Sequence, residues 1–352
     1  MKKIAIVLII LGLAQTFWGQ VTPISQPEYV KMLYAAEKDP SRRTEIVAEL
    51  RSRGIGFVVT DGIRGLTRSK GANDDELKRA LEEADRRRRD PVGTRLPGAA
   101  DAAAIIEKTR ANSRNVVEEM PDFVVKQLIT RSQAYAGTNN WRPYDNLVIA
   151  VSYSNDKGEQ YRVLAKNGAP VTDSTQAGNY NGLDGATSGG EFVEDLQKIF
   201  RPESKTQFSL LTTDSVRGRR AVVYEYEIAI ENNRDGGVGL KGPVYQSSPA
   251  GQSGKIWIDR DTFRVLRIEY KLTDIDPNFA VKAVTKSIEY EMVEIAGENH
   301  LMPTVSDFRG TVESGGRRFE SRNLIRFRNY QKYGTDVRIL DDDIKPDTES
   351  QP

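Results

Sequence analysis

From about residue 122 to residue 328 the chain alternates apolar and polar residues with a period of two. No other feature constrains the fold as much. Leu147, Ile149, Val151 and Tyr153 alternate with Val148, Ala150 and Ser152, and Tyr224, Tyr226, Ile228 and Ile230 alternate with Glu225, Glu227 and Glu231. Leu266, Ile268, Tyr270 and Leu272 alternate with Arg267, Glu269 and Lys271, and Ile288, Tyr290 and Met292 with Glu289 and Glu291. Phe319, Ile325 and Phe327 share one parity while Arg318, Glu320, Arg322, Arg326 and Arg328 take the other. Phe123, Val125 and Ile129 begin the pattern, which is interrupted at Gln127. Successive strand side chains point to opposite faces, so clean alternation means one buried face and one wet face, the mark of an antiparallel sheet. Asn155-Asp156-Lys157-Gly158, Asp259-Arg260-Asp261 and Ser314-Gly315-Gly316 supply turns. The pattern predicts a large curved antiparallel sheet of about ten strands, an incomplete β-barrel, over residues 105–340. One helix interrupts it at Glu191–Phe200, stopped by Pro202. The concave face of such a sheet is filled by helices or encloses a ligand cavity.

Ahead of the sheet the period is that of a helix. Residues 25–89 read as a small helical module. Ser25 and Glu28 have the spacing of a capping box, Ile46, Val47 and Leu50 form a stripe that Gly54 ends, and Leu77, Ala80, Leu81 and Ala84 form another. Arg86 to Arg89 is a basic run, read as a helix end whose cations face the C-terminal dipole. Residues 90–104 read as a linker whose alanines can already begin a helix. The class is therefore α+β.

Residues 1–20 have the charged start (Lys2, Lys3), short apolar run (Ile4 to Leu13) and small-residue zone of a secretory signal peptide. Its removal takes the formal charge of the chain from +1 to −1. The reading is an exported protein, periplasmic or extracellular, with no transmembrane segment after signal cleavage. Residues 341–352 read as a disordered acidic tail, and glycine-rich stretches at 178–190 and 234–254 as loops, with Asn232 to Gly242 expected to be mobile.

Composition removes much of the usual catalytic chemistry. With no cysteine there is no disulfide framework, thiol nucleophile or thiolate metal site, and one histidine cannot make a multi-imidazole centre. The near-balance of 51 basic and 50 acidic residues gives no field for nucleic acid. No cofactor or metal is expected. Gly189-Gly190-Glu191-Phe192 spells part of the diguanylate cyclase signature but lacks its second acid, and reads as a loop with Glu191 at a helix start. Gly251-Gln252-Ser253-Gly254-Lys255 lacks phosphate-loop spacing and reads as a turn entering a strand. His300 reads as a surface turn residue, and no Gly-x-Ser-x-Gly elbow occurs.

The candidate ligand-contacting residues are Tyr224, Tyr226, Trp257, Tyr270 and Tyr290. They either fill the core or line an apolar cavity for an acyl chain or hydrophobic peptide. Three functions stay open: an exported non-enzymatic binding protein for an apolar ligand or lipidated partner, a cell-envelope interaction or structural module with a filled core, and a carboxylate-dependent hydrolase.

Two stretches together resemble an uncharacterised family of secreted bacterial proteins. The first is Arg53-Gly54-Ile55-Gly56-Phe57 with Gly71-Ala72-Asn73-Asp74-Asp75. The second carries Met120-Pro121-Asp122-Phe123, Gly189-Gly190-Glu191-Phe192, Gly254-Lys255-Ile256-Trp257-Ile258-Asp259 and Leu301-Met302-Pro303. The final third is similar to outer-membrane lipoprotein-sorting (LolA-like) carriers. That resemblance implies an incomplete barrel covered by helices, which holds acyl chains or a partner protein and has no catalytic residues. It implies a lipid or lipidated protein as partner; a contact with an envelope protein through residues 25–89 is a separate expectation. This chain is longer than such carriers and adds the helical module and glycine-rich loops.

Overall fold

The structure is a computed structural model that describes residues 22–333 except 139, 172–179, 181–182, 184, 234–235 and 241–244. The expected signal peptide, the acidic tail and parts of both glycine-rich stretches lie outside the described residues. The chain divides into two compact units after Arg95.

Among the described residues the first unit holds four helices, α1 (Gln26–Lys38), α2 (Arg42–Arg53), α3 (Asp61–Lys70) and α4 (Asp75–Arg89). Their starts follow from local chemistry. Ser25 and Glu28 form a reciprocal capping box, and the side chains of Thr60 and Asp74 accept from the amides of Ile63 and Leu77. Tyr29, Leu33, Ile46, Leu50, Ile63, Leu77 and Leu81 meet in one core. The basic run is engaged within this unit. Arg86 pairs with Glu83 at 2.7 Å and Arg88 with Asp85 at 2.9 Å, while Arg87 donates to the carbonyls of Arg51 at 2.7 Å and Leu50 at 3.1 Å. Arg87 thus satisfies the open C-terminal end of α2 rather than that of its own helix.

The second unit opens with α5 (Ala99–Glu118), so the alanines at the end of the expected linker are helical. The strands follow as β1 (Phe123–Tyr135), β2 (Arg142–Ser154), β3 (Gly158–Lys166) and β4 (Ala169–Pro170). After the short helix α6 (Glu194–Phe200) come β5 (Gln207–Val216), β6 (Arg219–Ile228), β7 (Gly237–Leu240) and β8 (Gln246–Pro249). The chain ends in β9 (Gly251–Asp259), β10 (Val265–Thr273), β11 (Val281–Ile295), β12 (Glu298–Ser314) and β13 (Arg317–Lys332). Eleven strands form one curved antiparallel sheet in the order β4-β3-β2-β1-β13-β12-β11-β10-β9-β6-β5, and β7 and β8 form a separate ribbon. The order does not close: among the described residues β4 and β5 stand at its two ends without a further strand, so the sheet is an incomplete barrel. The chain lays down β1 to β4 toward one edge, takes up the other edge with β5, and returns until β13 pairs with β1.

Several local readings change. The glycine-rich stretch after Asn232 contributes strand β7, because Gly237–Leu240 finds a partner in β8. Gly251 to Lys255 is strand rather than turn, held between β6 and β10. His300 sits within β12, not in a turn, and Pro303 is accommodated beside a bulge at Glu289/Tyr290. The second helix of this unit starts at Glu194, three residues after the expected start, so Glu191 precedes it.

Helices α5 and α6 cover one half of the concave face. Ala102, Ile105 and Ile106 of α5 and Leu196, Ile199 and Phe200 of α6 pack on Tyr224, Tyr226, Ile256, Ile268, Ile288 and Tyr290. The other half closes on Phe192, whose ring lies 5.1 Å from Phe123 and 5.3 Å from Phe327. Among the described residues no helix is long and apolar enough to cross a membrane.

Candidate functional site

The strand registers sort the concave face into cross-strand rows. One row runs Tyr224, Ile256, Ile268, Ile288, Ser306, Ile325, Ile129, Leu147 and is apolar almost throughout. The next runs Tyr226, Gly254, Tyr270, Lys286, Phe308, Asn323, Arg131, Asp145 and is largely polar. Gly254 is needed there, because a Cβ would meet the backbone of Glu269 and Tyr270. A polar row inside a buried face requires partners, and these come from the segment that crosses the concave face ahead of α6.

Lys286 is the centre of that contact. Its Nζ donates to the Gly189 carbonyl at 2.8 Å and to Asp195 at 2.9 Å, and lies 3.0 Å from Glu191 Oε1. All three charged side chains are buried. Burial alone would push the lysine down. The adjacent carboxylates of Asp195 and Glu191 outweigh it and hold the ammonium well above the ordinary lysine range. Ser188 Oγ donates to Glu191 Oε1 at 2.6 Å, and the Tyr290 hydroxyl donates to the Glu191 carbonyl at 3.2 Å. Tyr270 hydrogen-bonds Asp195. Further along the row, Arg131 and Asn323 both donate to the Ala186 carbonyl, at 3.4 and 2.8 Å, and Arg131 holds Asp145 in a two-bond ion pair.

A second acid reaches the same segment from β3. Glu159 accepts from the Gly190 amide at 3.4 Å and from the Tyr161 hydroxyl. Burial raises its carboxyl to about 7, the Tyr161 hydrogen bond works against that, and the charges of Glu191 and Glu194 add to it. Gly190 has φ of +83°, and a Cβ there would strike the Glu194 side chain, so this turn requires glycine.

The five candidate residues do not share a face. Tyr224, Tyr226, Tyr270 and Tyr290 lie on the concave side, in or against the cluster formed with α5 and α6. Trp257 opposes Val223 in register and packs on the convex side with Ala221, Val223 and Leu266. There its Nε1 donates to Asp214 at 2.9 Å and Arg267 lies over its ring. One residue along a strand reverses the face, and Ile256 and Ile258 already occupy the inward parity beside Trp257. The tyrosines end in hydrogen bonds: Tyr224 donates to the Ala102 carbonyl at 2.9 Å, and Gln252 Nε2 donates to the Tyr226 hydroxyl at 2.7 Å. Burial pushes the Tyr224 hydroxyl up to about 12, so it acts as a neutral donor. Sequence reading passed over Lys286, Arg131 and Asn323, although each lies on the buried parity of its strand. Glu191, expected as a helix-terminus charge, is instead a buried partner of Lys286. Glu191 and Asp195 share one lysine and are shut from solvent, so a single ammonium stands against two buried carboxylates.

No protein-family model and no curated protein matches the chain. Among solved structures it is similar to a LolA superfamily protein from Nitrosomonas europaea, with 13% identity over 69% of this chain and 96% of that one and a TM-score of 0.31. A DUF1329 family protein from Desulfovibrio piger shows 11% identity over 68% of this chain and 97% of that one, with a TM-score of 0.28. The MucA/MucB complex of Pseudomonas aeruginosa contains a chain 11% identical over 65% of this chain and 94% of its own length, with a TM-score of 0.19.

Proposed function

We propose that this chain is an exported, non-enzymatic binding protein that takes an apolar ligand, or the acyl chain of a lipidated partner, on the concave face of its open sheet. The observation that carries the reading is the cover. The concave wall of Tyr224, Tyr226, Tyr270 and Tyr290 is closed by helices α5 and α6 rather than by strands, in a sheet whose strand order does not close. A cover of helices can move off a sheet without breaking a strand ladder, and an acyl chain offers the wall the same apolar contact as Ile105, Ile106, Leu196 and Ile199. Tyr224 and Tyr290 bond the cover at the main-chain carbonyls of Ala102 and Glu191, and Lys286 anchors it at Gly189, Glu191 and Asp195, so its release requires that ion pair to open. Trp257, on the convex side, is left out of this wall.

The filled concave face equally favours a second reading, an envelope interaction module with a permanent core. In both readings the helical unit at 25–89 is the proposed contact with an envelope protein. Native and lipid mass spectrometry on the chain from Val21 onward, with uptake of a fluorescent acyl probe, separates them. Near-stoichiometric lipid, or saturable probe uptake reduced by Tyr270→Ala, is the expected result. A clean apo protein that takes up no probe overturns the first reading and leaves the second.

A further inference from the structure

Gln127 is the residue of the concave face that the fold does not explain. It lies on β1 between Val125 and Ile129 on the same face, opposite Ile149 of β2 and Phe327 of β13, and it is fully buried. Both ends of its side-chain amide, Nε2 and Oε1, lack a hydrogen-bond partner among the described residues. Burying an amide with neither end paired is unfavourable, whereas a leucine or methionine in the same place would join the surrounding apolar cluster. Glu191 Oε2 and Gln252 Oε1 are also buried without a partner on this face. Glu191 precedes Phe192, and Phe192 packs on Phe327, the cross-strand neighbour of Gln127.

We infer that Gln127 is the recognition point for the carboxyl end of a long-chain carboxylic acid, bound in its protonated form with its acyl chain along the aromatic and aliphatic concave wall. This rests on the proposed apolar-ligand function. A primary amide offers an N–H donor and a C=O acceptor side by side, and a protonated carboxyl group is its complement. The acid O–H donates to Oε1 while Nε2 donates to the acid carbonyl. An ester has only the acceptor, and a bare alkyl chain has neither. The apolar surroundings favour the uncharged acid, because a carboxylate here would be desolvated beside an amide that carries no charge. The titratable groups around this layer are Tyr153 on β2, Glu159 and Tyr161 on β3, Tyr330 on β13, and the Glu191–Lys286–Asp195 cluster. None is an unpaired cation that would hold a carboxylate instead.

The test compares dodecanoic acid, dodecanamide and methyl dodecanoate on the full mature chain and on Gln127→Met and Gln127→Leu. The acid near pH 5 and the amide are expected to bind about tenfold more tightly than the ester, and both substitutions abolish that preference while leaving ester binding intact. Acid binding falls relative to amide binding about tenfold per pH unit above the acid's solution pKa, and the amide control removes any titration of Glu159 from the comparison. Without ligand, Gln127→Met unfolds at a higher temperature than the parent. If all three probes bind alike, the assignment of Gln127 fails while the apolar-ligand function stands. If none binds, both fail. A lower unfolding temperature for both variants would show that the amide already has its partner, and would overturn the inference independently of any probe.

Discussion

Replacing Lys286 by methionine tests whether the segment ahead of α6 is pinned electrostatically. The ammonium is the shared partner of Glu191 and Asp195, at 3.0 and 2.9 Å, and all three side chains are excluded from solvent. Methionine keeps the length and apolar stem of lysine, so packing changes little and two buried carboxylates lose their cation. Removing one member of a buried ion pair costs about 3–5 kcal/mol, most of it from the charge left behind. For a domain of this size each kcal/mol shifts Tm by roughly 2–4 °C, so the expected loss is roughly 6–20 °C. Urea unfolding of the full chain, followed by tryptophan fluorescence, gives the free energy, and hydrogen exchange should show protection lost first around Ser188 to Phe200. The triple variant Lys286→Met with Glu191→Gln and Asp195→Asn removes the charges together and is expected to return to within about 1–2 kcal/mol of the parent, because Ser188, Ser306 and Tyr270 still offer hydrogen bonds. A single variant within about 1 kcal/mol of the parent, or a triple variant no better than the single, would refute the argument that charge rather than packing holds this segment.

Glu159 makes stability depend on pH with a defined sign. Its folded-state carboxyl stands at about 7 against 4.5 unfolded, so between those values the folded state binds the extra proton and stability falls as pH rises, by at most about 3 kcal/mol, levelling above pH 7. Urea unfolding across pH 4.5–8 should show that slope in the parent and lose most of it in Glu159→Gln. Arg87→Met strips two donors from the C-terminal carbonyls of α2 and is expected to cost roughly 1–3 kcal/mol, read as faster hydrogen exchange in the last turn of α2 in the full chain. Trp257→Phe loses the bond to Asp214 and some convex packing, lowering stability by about 1–2 kcal/mol while acyl-probe uptake stays at the parent level. Tyr224→Phe frees the Ala102 carbonyl and should speed probe uptake in a stopped-flow measurement.

Alternation showed which stretches are strands, and Ser25, Gly54 and the Leu77–Ala84 stripe showed the helices, because both signals are local. Strand order was not legible. β13 pairs with β1 across some two hundred residues, and a period of two carries no information about which strand lies beside which. The site was half legible for the same reason. Lys286 shares parity with Ile288 and Tyr290, Arg131 and Gln127 with Ile129, and Asn323 with Ile325, so each stands out as a polar residue on a buried face before any partner is known. Their partners could not be read, since Ala186, Gly189 and Glu191 lie in an irregular segment and Asp195 in α6, all far away in sequence. Once the partners are known the four residues divide. Arg131, Asn323 and Lys286 each bind the crossing segment and so fix the cover to the sheet. Gln127 lies on the same face and is buried as deeply, yet the crossing segment gives it nothing among the described residues. A polar side chain that pins the cover and one that waits beneath it follow the same sequence rule, and what separates them is the hydrogen bond that the fold supplies to the first and withholds from the second. Under the proposed function that difference assigns ligand recognition to Gln127 and cover retention to Lys286, and substitution at the two sites should therefore move binding selectivity and stability in separate directions.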